Sequence, residues 1–352
     1  MRGLGDLRGR RVGTLSASLA HDLLRETPGV EVVLYEGVEE PYLDLEHGRV
    51  SGVVLDHLIA ERYGMVRPAL RVAAVVGRGE YAIGVRPGEP ELLRAVDDAL
   101  GAMDRDGELR AILAGWGLGG PSVPDVGTPR AEGRPVAHGP FTAAHARLFV
   151  QGAAVTVVIS ALAMMLALGG GLMLSVARRH GGPLLVGAAA AYVEIFRGTP
   201  VLLQLYVLYY GLAPVLTLNA FAAAVIGLAL NYAAYESELY RAGMEAVPRG
   251  QTEAALALGM SRAATLRRIV LPQAIRVALP GIANDFIALL KDSSLVSVIT
   301  VVELTKQMTI TAVDVRSWVV PGCVCAALYL AMSYPLGRLA RRLERRLGSV
   351  PR

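Results

Sequence analysis

Hydrophobic and polar positions along this chain follow two different rules. From Met1 to about Trp116, short β-branched runs punctuated by Gly alternate with charged stretches whose apolar residues recur at helical spacing. Arg11-Val12-Gly13-Thr14-Leu15, Glu31-Val32-Val33-Leu34-Tyr35 and Val50-Ser51-Gly52-Val53-Val54-Leu55 predict three strands, each followed by a helix. Glu89 to Leu113 predicts two helices, with Leu92, Leu93, Val96 and Leu100 on one face and a break at Met103-Asp104-Arg105-Asp106-Gly107. Further on the alternation vanishes. Leu148 to Ala177, Gly198 to Tyr235 and Ser317 to Gly337 contain no Asp, Glu, Lys or Arg, and Ala274 to Leu290 is apolar except for Arg276, Asn284 and Asp285. A membrane-spanning helix needs ~20 apolar residues. Gly211, Pro214 and Asn219 divide the long second run, so the pattern predicts five spans, roughly 147–176, 184–211, 220–243, 274–294 and 317–338.

Between the two halves, residues 117–145 interleave Pro121, Pro124, Pro129, Pro135 and Pro140 with glycines, the composition of a stiffened linker. The chain is 53% hydrophobic and 19% charged with a mean hydropathy of +0.43. Soluble domains carry about 25% charge, so the composition argues against a wholly soluble protein and rules out disorder. Two Cys build neither a disulfide framework nor a four-ligand zinc site, and no metal site is expected. The net charge of +4 is placed by the spans. Arg178, Arg179 and His180 follow span one; Arg241, Arg249, Arg262, Arg267 and Arg268 lie between spans three and four; Arg338, Arg341, Arg342, Arg345 and Arg346 follow span five. Five spans put all three sets on one side, which the positive-inside rule makes cytoplasmic. The N-terminal part is then outside the cytoplasmic membrane and the C-terminus inside. Arginines that flank spans argue against nucleic-acid binding. Met1-Arg2-Gly3-Leu4-Gly5-Asp6 has no apolar leader core, so the expectation is that span one acts as a reverse anchor or that the start lies upstream.

The stretch 249–272 breaks the pattern of spans and short loops. Gly250-Gln251-Thr252-Glu253-Ala254-Ala255-Leu256-Ala257-Leu258 is a helix-forming run that ends at Gly259, a residue suited to a left-handed C-terminal position. Ser261 is placed to N-cap a second helix running to Pro272. On helix physics alone this is either an amphipathic interface helix or a docking element. Glu253-Ala254-Ala255, three residues, Gly259, nine residues, then Ile269-x-Leu271-Pro272 resembles the coupling loop of permease subunits of ATP-binding cassette importers. Tyr192-Val193-Glu194-Ile195-Phe196-Arg197-Gly198-Thr199-Pro200, Ala234-Tyr235-Glu236-Ser237-Glu238-Leu239-Tyr240-Arg241 and Leu289-Leu290-Lys291-Asp292-Ser293-Ser294-Leu295 are similar to segments of the polar amino acid branch of that family (histidine, glutamine and arginine types). The resemblance covers nearly all of residues 146–347, in order. It implies a permease that does no covalent chemistry, docks its loop on a pair of ATP-binding subunits, and pairs as a homodimer or with a sister permease. This chain has no Gly-x-x-x-x-Gly-Lys-Ser/Thr loop. ATP and Mg would be used by the partner, with no cofactor held here.

Charged residues within spans are costly and default to function. Asp285 and Asp292, seven apart, share a helix face, with Lys291 turned about 100° from Asp292. Two carboxylates facing an aqueous path, with Ser293 beside them, suit the ammonium of an amino acid or a cationic side chain; Lys291 suits its carboxylate. The alternative is that Lys291 and Asp292 pair at the outer interface. Only Lys291 and Lys306 are lysines among 35 Lys plus Arg. Glu194 and Arg197, read as opening span two, are spaced to pair, and Thr199-Pro200 to kink it. Glu236 and Glu238 are expected to pair with Arg241 or line an inner vestibule. Cys323 and Cys325 read as packing residues, Trp318 and Tyr334 as interfacial.

The first 116 residues resemble the second lobe of an amino-acid periplasmic binding domain. Leu7-Arg8-Gly9-Arg10-Arg11-Val12-Gly13 and Leu45-Glu46-His47-Gly48-Arg49-Val50-Ser51-Gly52-Val53-Val54-Leu55-Asp56 carry the likeness, and Tyr81-Ala82-Ile83-Gly84-Val85-Arg86 through Gly107 to Trp116 is similar to the closing segment. The resemblance implies a carboxylate site at Thr14, Ser16 or Ser18, at a helix N-terminus, with Asp56 receiving the amino group; Asp56 is equally placed to N-cap the next helix. The first lobe is absent from the sequence, so this site is expected to be vestigial and to bind ligand weakly or not at all.

The fold class expected is therefore a multi-pass α-helical membrane protein of the importer-permease type, residues 146–347, preceded by a truncated α/β binding-protein-like domain, residues 1–116. Its expected function is to translocate polar amino acids, with a complete substrate-binding protein as a further partner. A ligand-gated receptor or channel with an external half-clamshell competes with this reading, as does a truncated, non-functional fusion. The loop at 253–272 separates them, since a channel needs no ATPase-docking element.

Overall fold

The computed structural model describes residues 3–16, 18–77, 83–86, 88–115, 140–315 and 317–347. Most of the expected linker and the start of the closing segment at Tyr81-Ala82 lie outside the described residues. Two compact units emerge, one joining Met1–Gly77 to Gly139–Arg352 and the other comprising Arg78–His138.

In the first unit, β1 (Arg11–Leu15), α1 (Leu19–Arg25), β2 (Glu31–Tyr35), α2 (Glu40–Glu46) and β3 (Gly52–Val53) form a three-stranded sheet of order β2-β1-β3. Both pairings are parallel, from Arg11↔Glu31 to Leu15↔Tyr35 and from Val12↔Gly52 to Gly13↔Val53. Parallel neighbours need crossover connections, which α1 and α2 provide. Leu7, Val12 and Leu24 pack on one side of the sheet and Val33, Tyr35 and Val50 on the other. The third strand is shorter than the run 50–55 predicts. Its ladder ends where the buried Thr14 side chain donates to the Val54 carbonyl (2.9 Å), replacing a backbone partner. A short helix, α3 (His57–Ile59), follows.

The second unit holds α4 (Pro90–Arg105) and α5 (Glu108–Gly115), as the periodicity predicts. Gly107, at φ 78°, makes the turn between them. Leu92, Leu93 and Ile112 are exposed.

The helical part of the first unit begins with α6 (Ala143–His180), which starts inside the stretch expected to be linker. Then come α7 (Pro183–Gly198), α8 (Val201–Tyr206) with a π-helical turn over Val207–Gly211, α9 (Ala220–Ala246), α10 (Arg249–Ala257), α11 (Arg262–Thr265), α12 (Leu271–Asp292), α13 (Leu304–Asp314) and α14 (Val319–Leu347). α9 packs between α6 and α12, and α12 also meets α14. Ile159 and Ala163 of α6, Leu228 and Tyr232 of α9, and Leu289 of α12 share the main core. Helices α9 and α12 approach closely because Gly243 has no side chain: a Cβ there would lie 2.4 Å from the Ala274 carbonyl oxygen.

Among the described residues two helices, Ala143–His180 and Val319–Arg345, are long and apolar enough to cross a membrane, and a third span is counted if the bent pair α7 and α8 is one. The bend is 109°, far more than the kink expected within 184–211. Pro200 has no N–H for the Phe196 carbonyl four residues back, and Thr199 before it is extended (φ −121°, ψ 148°). Two side chains replace the lost bond: Gln204 Nε2 donates to Phe196 O (2.9 Å) and Asn231 Nδ2 to the same oxygen (3.0 Å). The stretches expected as the other spans, 220–243 and 274–294, are helical as α9 and α12. Neither is among the helices apolar enough to cross a membrane, because Asn231, Glu236 and Glu238 in the one and Arg276, Asp285 and Asp292 in the other make them more polar.

Two outcomes follow from this packing. Asn231→Leu leaves the Phe196 carbonyl short of a partner and is expected to cost about 1–2 kcal/mol, read as a lower unfolding temperature in detergent; an unchanged temperature would show that Gln204 suffices. In the α/β part, His21 is buried, and desolvation holds its imidazole below the usual range against the raising effect of Asp22 and Asp314, with Arg25 adding to the lowering. The unfolded imidazole takes up its proton first as pH falls through about 6.5. Stability of this part is therefore present above that value and lost below it. Hydrogen-exchange protection of β1 should drop between pH 7 and pH 5 in the full chain, and His21→Gln should flatten the drop.

Candidate coupling loop and substrate path

The loop between α9 and α12 is a folded element. Helix α10 ends in Gly259 at φ +82°, with Met260 N donating to Ala255 O (3.1 Å) and Gly259 N to Leu256 O (3.0 Å). This pair of bonds is the Schellman closure that a left-handed glycine permits. Ser261 accepts from Ala264 N (3.2 Å) and starts α11, and a π-helical turn over Leu266–Val270 leads into α12. Ala255 is the residue of α10 that packs inward; Glu253, Ala254, Leu256, Ala257 and Leu258 are exposed, Leu258 at 84%. At the base, Met244, Val247, Val270 and Ala274 form a small core with Leu266. Ile269 and Leu271 are half-buried and Pro272 is exposed. The loop thus has a fixed root and a free face.

Three carboxylates gather between α9 and α12. Asp285 is half-buried, within electrostatic reach of Glu236 and Tyr232. Asp292 accepts from the Tyr232 hydroxyl (2.8 Å). The alternative, a Lys291–Asp292 pair, is not formed: Lys291 is exposed with no carboxylate partner among the described residues, since consecutive residues on a helix point about 100° apart. Ser293 is buried and donates to Leu290 O (2.8 Å), an internal role. Glu236 departs further from expectation. It is fully buried, and neither carboxylate oxygen has a hydrogen-bond partner. Glu238 takes Arg241 instead (2.7 Å), along with Arg178 of α6. The spacing could have shown this, because residues two apart on a helix do not face the same partner.

The segment Glu194 to Pro200 lies at the break between α7 and α8, well inside the stretch rather than at its opening. Glu194 and Arg197 are both exposed and unpaired with each other; the Arg197 guanidinium lies over the Tyr235 ring instead, 5.4 Å from its centroid. Thr199 Oγ1 donates to Ile195 O (2.8 Å) and, with Pro200, sets the bend.

In the α/β part the groups expected to be a vestigial ligand site have local work. Ser18 caps α1 by accepting from His21 N (3.1 Å), Asp56 caps α3 by accepting from Ile59 N (3.0 Å), and Thr14 is bound to Val54. Ser16 Oγ alone is buried without a partner. The buried pair Asp44–Arg49 (2.9 Å) was not singled out in the sequence, and it reaches the helical part. Arg49 Nη2 donates to Tyr209 O (2.7 Å), and Asp44 accepts from the hydroxyls of Tyr35 (2.7 Å) and Tyr209 (3.0 Å). Burial and Asp44 push the Tyr35 phenol well above its usual range.

Residues 167–349 match the family described as binding-protein-dependent transport system inner membrane component. The chain belongs to this family. The glutamine transport system permease protein GlnP of Escherichia coli (strain K12) is 38% identical over 204 residues, 57% of this chain and 93% of that protein. The L-cystine transport system permease protein TcyB of Bacillus subtilis (strain 168) is 42% identical over 161 residues, 45% of this chain and 68% of that protein. Among solved structures, the crystal structure of an amino acid ABC transporter with histidines is 37% identical with a TM-score of 0.54, covering 58% of this chain and 95% of that one. The chain is thus an importer permease, a transport component of the inner membrane rather than an enzyme, and the receptor or channel reading falls away.

The left-handed turn at Gly259 gives a direct check on the loop. Gly259→Val places a β-branched residue at positive φ, with an expected cost of about 1–2 kcal/mol. Trypsin should then cut at Arg262 faster than in the parent chain, while cleavage in the α/β part stays unchanged.

Proposed function

We propose that this permease carries polar amino acids inward, driven by ATP hydrolysis on a separate pair of ATP-binding subunits. The observation that carries the reading is the loop itself: a rooted helix-turn-helix whose exposed face holds Glu253, Ala254, Leu256 and Leu258, on a chain of an importer family. Small alanines let such a helix seat closely in a groove of another subunit, while the core around Met244 and Ala274 passes its displacement to α9 and α12. ATP and Mg belong to that partner.

The substrate class is argued from the carboxylates. Asp285 and Asp292, both half-buried, are acceptors for the ammonium every amino acid carries, and they favour basic side chains in addition. The relatives named for glutamine and cystine transport share the class. Lys291, exposed beside Asp292, is assigned to the substrate carboxylate. Five spans, α6, α7 with α8, α9, α12 and α14, put the Arg-rich ends at 178–179, 241–268 and 338–345 in the cytoplasm and the α/β part outside. Residues 3–77 with α4 and α5 are read as binding-protein-like. A second permease, a copy or a sister chain, encloses the path, and a complete substrate-binding protein delivers the amino acid.

The test is a detergent pull-down of the tagged chain from its native membranes, beside the variant Glu253→Arg with Gly259→Trp. An ATPase activity that co-purifies with the parent chain and falls at least tenfold in the variant is expected. A folded parent chain that brings down no ATPase would remove the loop's assigned role.

A further inference from the structure

The family's description requires a binding protein to meet the permease, yet the surface at the end of the helices opposite the Arg-rich loops is already covered by residues 3–77 of the same chain. Four contacts make the cover. Glu36, which directly follows β2, holds Lys306 at the start of α13 (2.5 Å), and Lys306 is 2% exposed. Arg25, at the end of α1, holds Asp314 at the end of α13 (2.5 Å). The buried Arg49 guanidinium lies 3.9 Å from the Tyr209 ring centroid while bonding its carbonyl, and buried Asp44 takes the Tyr209 hydroxyl. The receiving surface is firm: Glu303 caps α13 by accepting from Thr305 N (2.8 Å) and Lys306 N (2.7 Å), and it also accepts from Tyr329 of α14 (3.1 Å).

The direction in which the α/β part is turned matters as much as the contacts. Ligands of open parallel sheets sit outside the carboxyl ends of the strands. Here the carboxyl end of β2 runs straight into Glu36 and so into Lys306, and the unpartnered Ser16 Oγ lies just past the carboxyl end of β1. We propose that residues 3–77 are a cap in cis: they occupy the permease's outer docking surface, α13 closes their ligand edge, and a separate delivering protein reaches the permease when the cap lifts. This rests on the orientation and transport activity proposed above.

The test uses the full chain with Cys323→Ser and Cys325→Ser, carrying Glu36→Cys and Lys306→Cys, and a protease site inserted near residue 128. Membranes are treated with dithio-bis-maleimidoethane, a linker cleaved by reductant. If the cap is docked, the N-terminal fragment stays attached to the permease after proteolysis and leaves on reduction. Uptake of labelled amino acids by cells with this chain as their only copy should fall at least tenfold while linked and recover on reduction. A fragment that leaves without reduction would overturn docking. A linked chain that transports as well as the reduced one would overturn the cap. Absence of uptake in both states would count against the transport reading, while fragment retention still decides docking. Because linking replaces Lys306, Arg25→Glu in the otherwise natural chain serves as the second variant: it breaks the contact with Asp314 and should raise uptake at limiting external substrate, whereas unchanged uptake would speak against a cap.

Discussion

A bilayer offers no water to a backbone N–H or C=O, so every such group inside it must find its partner within the protein. That constraint explains the least regular part of this structure. Pro200 cannot serve the Phe196 carbonyl, and the helix turns through 109° at that point. In water the orphan oxygen would be solvated; here Gln204 reaches back from α8 and Asn231 reaches across from α9. Asn231 also donates to Gln204 Oε1 (3.0 Å), so the two amides hold each other in register. An Asn in the middle of α9 is therefore the price of the bend between the two helices packed beside it.

The same shortage of solvent sorts the charges. Where a carboxylate is buried at the junction with the α/β part it is paired: Asp44 takes one guanidinium and two phenols. Removing one member of a buried pair commonly costs about 3–5 kcal/mol, because the other is left charged and dry. Glu238 is likewise held by two arginines at the end of α9. Glu236, one half-turn away, has none. Gly171 of α6 lets the helices close over it, since a Cβ there would lie 2.6 Å from Glu236 Cβ. A sealed, unpaired carboxylate beside Asp285 is costly, and such a group persists in a membrane helix where function needs it.

The sequence made some of this visible and concealed the rest for identifiable reasons. Strands β1 and β2, the α4–α5 turn at Gly107 and the Ser261 and Gly259 caps were legible because each rests on local chemistry, a propensity run or a left-handed glycine. The membrane half was legible from charge-free runs. Local pairs, the favoured Glu194–Arg197 and the alternative Lys291–Asp292, gave way to distant partners. Arg197 chose the Tyr235 ring over Glu194, and Asp292 chose Tyr232 over Lys291. Spacing along one helix cannot rank a neighbour against a residue dozens of positions away. Asp44 and Arg49 escaped notice for a related reason. In sequence they are two ordinary charges, and only the fold brings the Tyr35 and Tyr209 hydroxyls and the Tyr209 carbonyl to them.

How a displacement of the loop would reach the carboxylates can be argued from the ties between α9 and α12. Helix α12 contains Pro280, which lacks the N–H for the Arg276 carbonyl and is its softest point. A push on α12 from below would bend there and be absorbed, were the helix free. It is not free: Gly243 lets α9 clamp it at Ala274 below the proline, and Tyr232 holds Asp292 above it. Leu239 of α9 fills the space beside Gly281, next to the proline itself. With α9 attached below, beside and above, bending at Pro280 requires α9 to distort as well, and α9 is continuous over its 27 residues. The two helices are therefore tied below, beside and above the proline, with Asp285, Asp292 and Glu236 between them. The neighbouring α7 and α8, bent by 109°, are tied to α9 by the amides at Asn231, by the Tyr192 hydroxyl on the Leu230 carbonyl and by Arg197 over the Tyr235 ring, so any shift of α9 must strain all three.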